Sequence, residues 1–191
     1  MNTLMPESSD AEIIADSVEQ PHVFTALFDR HARGIHRFIA RRIGAVDAHD
    51  VVSQTFLVAF ENRERYDAAF PSARPWLFGI ASNVMRHHCR SEVRAWRAMA
   101  ASGIEVEPSF VDEVVDRVDF RAHGAAMAAV LADLHERDRD VLLLFAWEDF
   151  SYAEIAAALA IPVGTVRSRL HRARSQLQAA LGTHVLEEIN L

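Results

Sequence analysis

Residues 151–181, SYAEIAAALAIPVGTVRSRLHRARSQLQAAL, leave room for little besides two short helices meeting at a tight turn. Ser151 and Glu154 have the spacing at which a serine hydroxyl and a glutamate satisfy each other's backbone donors at a helix start. An alanine-rich run follows, with Ile155 and Leu159 four apart on one face. Pro162 suits the first turn of a second helix, where its missing N–H is not needed. Gly164 weakens that turn but permits close approach of another backbone. Val163, Val166, Leu170, Ala173 and Leu177 then step by three or four and share a face. The other faces carry Arg167, Ser168, Arg169, His171, Arg172, Arg174 and Gln176, and residues 162–181 hold four arginines and no acid. Such a helix can pack on one side and enter a major groove on the other, where arginine bonds guanine through two donors at once. For the pair taken alone, a solvated amphipathic surface helix is the alternative.

The total charge points the other way. The 191 residues sum to −7, which argues against a nucleic-acid binder. The distribution reverses that inference, because the local field governs DNA binding. Residues 1–20 carry five acids and no arginine, whereas residues 21–100 carry twelve arginines against seven acids. The length accommodates one domain or two small ones. A single cysteine, Cys89, excludes an internal disulfide framework and fits a reducing cytoplasm. No signal peptide and no apolar run of membrane-spanning length is visible, so a cytoplasmic protein without membrane insertion is expected.

The periodicity is helical throughout, and an all-α fold is expected: two small helical domains joined by a flexible linker. Residues 1–20 read as a disordered acidic N-terminus, although Ile13 and Ile14 could dock. A first helix is expected over 22–43, with Phe24, Leu27, Phe28, His31, Ile35, Phe38, Ile39 and Ile43 inward and Gly44 as its stop. Asp47 can cap a second helix running to about Tyr66, with Val51, Val52, Thr55, Phe56, Ala59 and Phe60 buried. Two prolines in AAFPSARP break the pattern. A third helix starts near Pro75, places Trp76, Leu77, Ile80, Val84 and His88 on one face, and continues toward Met99. Residues 101–124 read as the linker, with Ser109 capping a short acidic helix that ends near Gly124. Helices containing Met127, Val130, Leu131 and Leu134, then Val141, Leu142, Leu144 and Phe145, lead into the pair at 151–181. The expected domains are therefore 21–100 and 125–182, with 183–191 a tail.

Three stretches resemble the extracytoplasmic-function (ECF) sigma factors, a two-domain class of bacterial transcription initiation factors. DVVSQTFLVAFENRERYD at 50–67 resembles their polymerase-binding segment. ARPWLFGIASNVMRHHCR at 73–90 resembles the segment that melts and reads the promoter −10 element. EIAAALAIPVGTVRSRLHRAR at 154–174 is similar to their −35-reading helix-turn-helix. The order and spacing are the family's, over about residues 22–181. The resemblance implies partners: core RNA polymerase through its largest-subunit clamp helices and its flap region, promoter DNA, and an anti-sigma factor. It also implies roles. Asp50, Gln54 and Phe56 would lie at the polymerase-docking face. The loop Phe70 to Arg74, including Ser72, would capture an unpaired base, with Trp76 and Asn83 in the melting segment and Arg86, His87, Arg90 and Arg94 facing −10 DNA. Arg167, Ser168, His171 and Arg172 would read the −35 groove, with Thr165, Arg169 and Arg174 nearer phosphates. The chain departs from the family at His135, where proline is frequent, and at Phe150, where glycine is frequent.

Other readings compete. Trp76 reads more readily as a core anchor than as a base-stacking residue, since tryptophan buries a large area. His87, His88 and Cys89 are adjacent and point in different directions on a helix, so no metal site is expected. No nucleophile–base set appears, so neither enzyme activity nor a cofactor is expected. A stand-alone helix-turn-helix regulator would lack WLFGIASN, and a sigma mimic that only sequesters an anti-sigma factor would be expected to lose the DNA-facing arginines.

Overall fold

The computed structural model describes residues 8–86, 89–102 and 120–182. Among these residues the regular elements are all helical, and they fall into two compact units that divide after Met85.

In the first unit, α1 (Asp10–Glu19), α2 (Thr25–Ile43), α3 (Ala45–Glu61) and α4 (Arg74–Met85) are joined by single 3-10 turns at Pro21–Phe24 and Arg63–Arg65. The core is Leu27, Ile35, Phe38 and Ile39 of α2, Val51, Phe56 and Ala59 of α3, and Leu77, Phe78 and Ala81 of α4. Phe38 meets Phe78 edge-on at 5.1 Å between ring centroids, the arrangement aromatic quadrupoles prefer. Phe28, expected inside, is exposed. Its ring lies along Phe56 at 4.8 Å and covers that side chain from outside. Gly44 ends α2 with φ +91 and at once begins α3, a one-residue corner that a β-carbon would strain. Asp47 is therefore not the cap of α3 but lies in its first turn, and the helix ends at Glu61 rather than near Tyr66.

The expected disorder of residues 1–20 is overturned over α1. Ser9 and Glu12 form a complete capping box, and Ile13, Ile14 and Ser17 are buried. The serine–x–x–glutamate signal was present in the sequence, and two adjacent isoleucines supply enough apolar area to offset the ordering of one short helix. The acids that suggested disorder are turned to use at the helix start, where negative charge is favoured.

One of those acids is an internal tie. The Asp10 carboxylate is 3% exposed. Arg30 donates to its Oδ1 at 2.6 Å, and the backbone N–H of Ala73 donates to Oδ2 at 2.8 Å. His31 Nε2 lies 2.8 Å from the same Oδ2. Burial pushes this acid up, but the bonds from His31, Ala73 and Arg30, with the charge of His31, outweigh it and hold the pKa at about 2, against an ordinary 3.8. The folded state thus binds this proton more weakly than the unfolded chain does. Its stabilising contribution is complete above pH 3.8 and is lost as pH falls toward 2. Urea melts of the wild type should weaken across that window by roughly 1–2 kcal/mol. Asp10→Asn should start weaker at pH 7 and lose less on acidification.

In the second unit, α5 (Cys89–Ser102), α6 (Phe120–Asp133) and α7 (Glu136–Glu148) precede α8 (Tyr152–Leu159) and α9 (Val163–Leu181). The expected continuous helix from Pro75 to Met99 is instead two, because α4 ends at Met85. His87 and His88 lie outside the described residues. Helix α5 packs along α6 and reaches α7 through two side chains: buried Trp96 stands 6.1 Å from the Trp147 ring, and Glu92 pairs with Arg139 at 3.5 Å. By its contacts α5 groups with the second unit, which begins at Arg86. The expected linker is also shorter at both ends, since Ala101 and Ser102 finish α5 and Gly124 sits inside α6. Residues 103–119, Ser109 among them, lie outside the described residues, as does the tail from 183.

Both departures from the family pattern have local solutions. His135 begins α7 at φ −59, an angle proline also adopts, and its Nδ1 accepts the N–H of Arg137 at 3.2 Å. The left-handed residue after α7 is Asp149, at φ +53, so Phe150 needs no glycine freedom and is buried. The predicted box of Ser151 and Glu154 is present.

Candidate nucleic-acid interface

Helix α8 ends on left-handed Ala160, at φ +51, and the chain turns through Ile161 into α9. Pro162 occupies the cap position, one residue before the helix proper, and its carbonyl accepts the N–H of Thr165 at 2.8 Å. The packing stripe is Val166, Leu170, Ala173 and Leu177, all buried as expected. Val163 departs from it and is exposed, because it precedes the turn that tucks under. Nothing lies within 4 Å of where a β-carbon on Gly164 would stand, so no protein backbone uses the space that glycine leaves.

Opposite the stripe, Arg167, Ser168 and His171 form an exposed ridge, with the Ser168 hydroxyl donating to the Thr165 carbonyl at 3.0 Å. Thr165 and Arg169 are half-buried beside it. The other two arginines are engaged with α7. Arg172 holds Asp138 with both arms, Nε to Oδ2 at 3.0 Å and Nη2 to Oδ1 at 2.8 Å. Arg174 lies 4.9 Å over the Phe145 ring. The Asp138 bonds raise the Arg172 pKa further, so the guanidinium keeps its charge. Sequence spacing gives no sign of either contact, since the partners of Arg172 and Arg174 are 34 and 29 positions away.

In the first unit, the loop between the Arg63–Arg65 turn and α4 is tied at both ends. The Tyr66 hydroxyl donates to the Phe70 carbonyl at 2.6 Å, and Ala73 is fastened to Asp10. Burial, followed by the charges of Asp10 and Asp67, pushes the Tyr66 hydroxyl up to about 12, so it keeps its proton and remains a donor. Between the ties Phe70 is 47% exposed and Ser72 is exposed, its Oγ accepting the Arg74 N–H at 3.3 Å. Arg74 is half-buried, 5.4 Å from the Phe78 ring. Trp76 and Asn83 share the outward face of α4. Trp76 is half-buried against Tyr66 at 5.0 Å, so it is not the full core anchor that its size suggested. Arg86 and Arg94 are exposed in the second unit. His87, and the side chain of Arg90 on α5, lie outside what is described.

On α3, Asp50 and Gln54 are exposed on one face, but Phe56 is buried in the core and offers no docking surface. Val46, 89% exposed, lies four positions before Asp50, and a further apolar residue at that surface is Leu57, 56% exposed and seven positions after Asp50. Sequence reasoning passed over it, although it is the apolar residue out of step with the buried stripe. Among the described residues no cluster of metal-ligating side chains occurs, and no helix is long and apolar enough to cross a membrane.

Two family models match the chain: sigma-70 region 2 over residues 27–97 and sigma-70 region 4 over residues 125–177. The region 2 match runs across the division between the compact units and takes in most of α5. The chain is 33% identical over 172 residues to the RNA polymerase sigma factor CarQ of Myxococcus xanthus, covering 86% of this chain and 92% of that protein. It is 31% identical over 176 residues to the ECF sigma factor SigL of Mycobacterium tuberculosis, covering 90% and 96%. A solved structure of CnrH with the cytosolic domain of CnrY matches with TM-score 0.58 and 29% identity, over 90% of this chain and 96% of that one. The sigma factor RpoE of Bartonella quintana, solved with the anti-sigma factor NepR, shares the fold at TM-score 0.59 and 22% identity, over 84% and 97%. With both regions matched in order and relatives covered almost end to end, the chain belongs to the ECF class of RNA polymerase sigma factors.

Proposed function

We propose that this sigma factor assigns its promoter steps to separate exposed surfaces. The ridge of Arg167, Ser168 and His171 on α9 enters the major groove of the −35 element. The observation that carries this is the two-sidedness of α9: a fully buried apolar stripe behind an exposed ridge of donors, on a helix that Pro162 opens just after the left-handed turn at Ala160. The −35 element stays duplex, so a rigid helix with base-edge donors suits it. At −10 the strands must part, and unpaired bases need aromatic surface and cations. Phe70 and Trp76 supply the aromatic surface, Ser72 and Asn83 polar groups beside it, while Arg74, Arg86, His87, Arg90 and Arg94 supply the track. Asp50, Gln54 and Leu57 dock on the clamp helices of the largest polymerase subunit, and the second unit meets the flap region. An anti-sigma factor that covers these same faces controls the protein. The protein itself performs no chemistry and works in the cytoplasm.

Run-off transcription with core polymerase on a pool of promoter fragments tests this reading. Transcripts that appear only when the protein is added, and that share upstream −35 and −10 elements, are expected. Tight core binding without transcripts would instead describe a mimic that sequesters an anti-sigma factor. DNA binding by the free protein without core binding would describe a stand-alone regulator.

A further inference from the structure

The loop that carries Phe70 and Ser72 ends at Ala73, and Ala73 is held from outside its own helix pair by α1. Its N–H reaches the Asp10 carboxylate at 2.8 Å across 63 positions of sequence, in a spot where both residues are buried. The other two groups at that carboxylate, Arg30 and His31, come from α2 and fix Asp10 rather than the loop. A hydrogen bond to a backbone N–H is indifferent to the side chain at position 73. It therefore sets the course of the chain and leaves the loop's outward chemistry to Phe70 and Ser72. A charged acceptor makes the bond stronger than a neutral one. At the loop's other end Tyr66 holds the Phe70 carbonyl, so the exposed Phe70 ring stands between two fixed points.

We propose that Asp10 is a positioning residue for promoter reading: through the Ala73 N–H it holds the loop in the shape in which Phe70 and Ser72 meet an unpaired base of the −10 element, making α1 part of the −10 reader. This rests on the reading of that loop as the base-capturing one. The entropy of ordering a short loop is thereby removed before DNA arrives, so less of the binding energy is lost to it. Arg30 serves as the internal contrast, because it shares the carboxylate but does not touch the loop.

The test uses the full chain assembled with core polymerase. Transcription is compared on a matched promoter, on one with a single −10 base changed and on one with a single −35 base changed, alongside core affinity and melting temperature. Asp10→Ala should reduce −10 discrimination at least fivefold while −35 discrimination and core affinity stay within twofold. Arg30→Gln should lower the melting temperature yet leave −10 discrimination within twofold. If Asp10→Ala fails to fold, Asp10→Asn carries the test with an expected loss of at least threefold, since the amide keeps an acceptor but not its charge. Phe70→Ala separates the two layers. If it abolishes −10 discrimination while the Asp10 variants retain theirs, the positioning role is overturned and the loop reading stands. If Phe70→Ala changes nothing, the loop reading falls and the proposal with it. Equal loss of discrimination in Arg30→Gln and the Asp10 variants would make the carboxylate a fold element only and overturn the proposal as well.

Discussion

Arg139→Ala should unfold the second unit or bring it close to unfolding. Arg139 is 1% exposed and Glu92 is 2% exposed, with Nε 3.5 Å from Oε1. The same guanidinium donates through Nη1 to the Leu131 carbonyl at 2.9 Å. One side chain on α7 therefore holds α5 by charge and α6 by a backbone oxygen. Truncation removes the cation facing a buried carboxylate, and breaking a buried pair from one side typically costs about 3–5 kcal/mol. A whole domain commands only about 5–15 kcal/mol, so the loss approaches the stability of the unit. In a unit of this size it corresponds to a fall in Tm on the order of 15 °C or more. Trp96 is buried between these elements, and its fluorescence should report the transition. The double variant Arg139→Leu with Glu92→Leu should recover most of the loss, because two apolar groups of similar bulk dispense with the desolvation of both charges. A single Arg139→Ala variant that melts within a few degrees of the wild type would show that the pair contributes little.

That pair also shows where the sequence stops being readable. The pair α8 and α9 is legible because everything that specifies it is local: the Ser151–Glu154 box that starts α8, the proline at the turn, and on α9 a stripe with helical spacing. The same box at Ser9 and Glu12 specifies α1, although the acidic composition around it predicts disorder. Composition is an average, and burial of two side chains is not visible in it. The division between α4 and α5 was illegible for a different reason. Helical periodicity continues across residues 86–90, yet α4 ends at Met85, and on α5 Glu92 and Trp96 meet Arg139 and Trp147 of α7. Contacts across 47 and 51 positions leave no trace in spacing. The same holds for Asp10 and Ala73. Phe56 and Leu57 are the opposite case at the docking face: spacing alone puts Phe56 on the buried stripe and leaves Leu57 out of step with it, and the structure has Phe56 in and Leu57 out.

The arginines of α9 turn that limit into a measurement. By residue type Arg167 and Arg172 are equal candidates for a guanine, but they start from different states. Arg167 is exposed on the ridge, and its fork can meet the O6 and N7 of a guanine without giving anything up. Arg172 already spends both arms on Asp138. It can read a base only by releasing that carboxylate, so each contact it makes with DNA is an exchange and not a gain. Arg167→Ala should therefore relax selectivity at a single −35 position by roughly 1–3 kcal/mol, about 5- to 150-fold in discrimination. The matching base should show itself as the one whose substitution no longer matters to the variant. Arg172→Ala should relax selectivity less than Arg167→Ala does. Asp138→Asn distinguishes the two possible uses of Arg172. If the arginine is recruited to DNA, weakening its competitor should tighten −35 binding and steepen the salt dependence by about one phosphate's worth of counterion release. If the pair serves only to fasten α9 against α7, Asp138→Asn should weaken −35 binding, lower Tm and leave the salt slope unchanged. The geometry favours the first outcome, because the guanidinium is more than half exposed while Asp138 is nearly buried in the first turn of α7, where its charge is stabilised without the arginine.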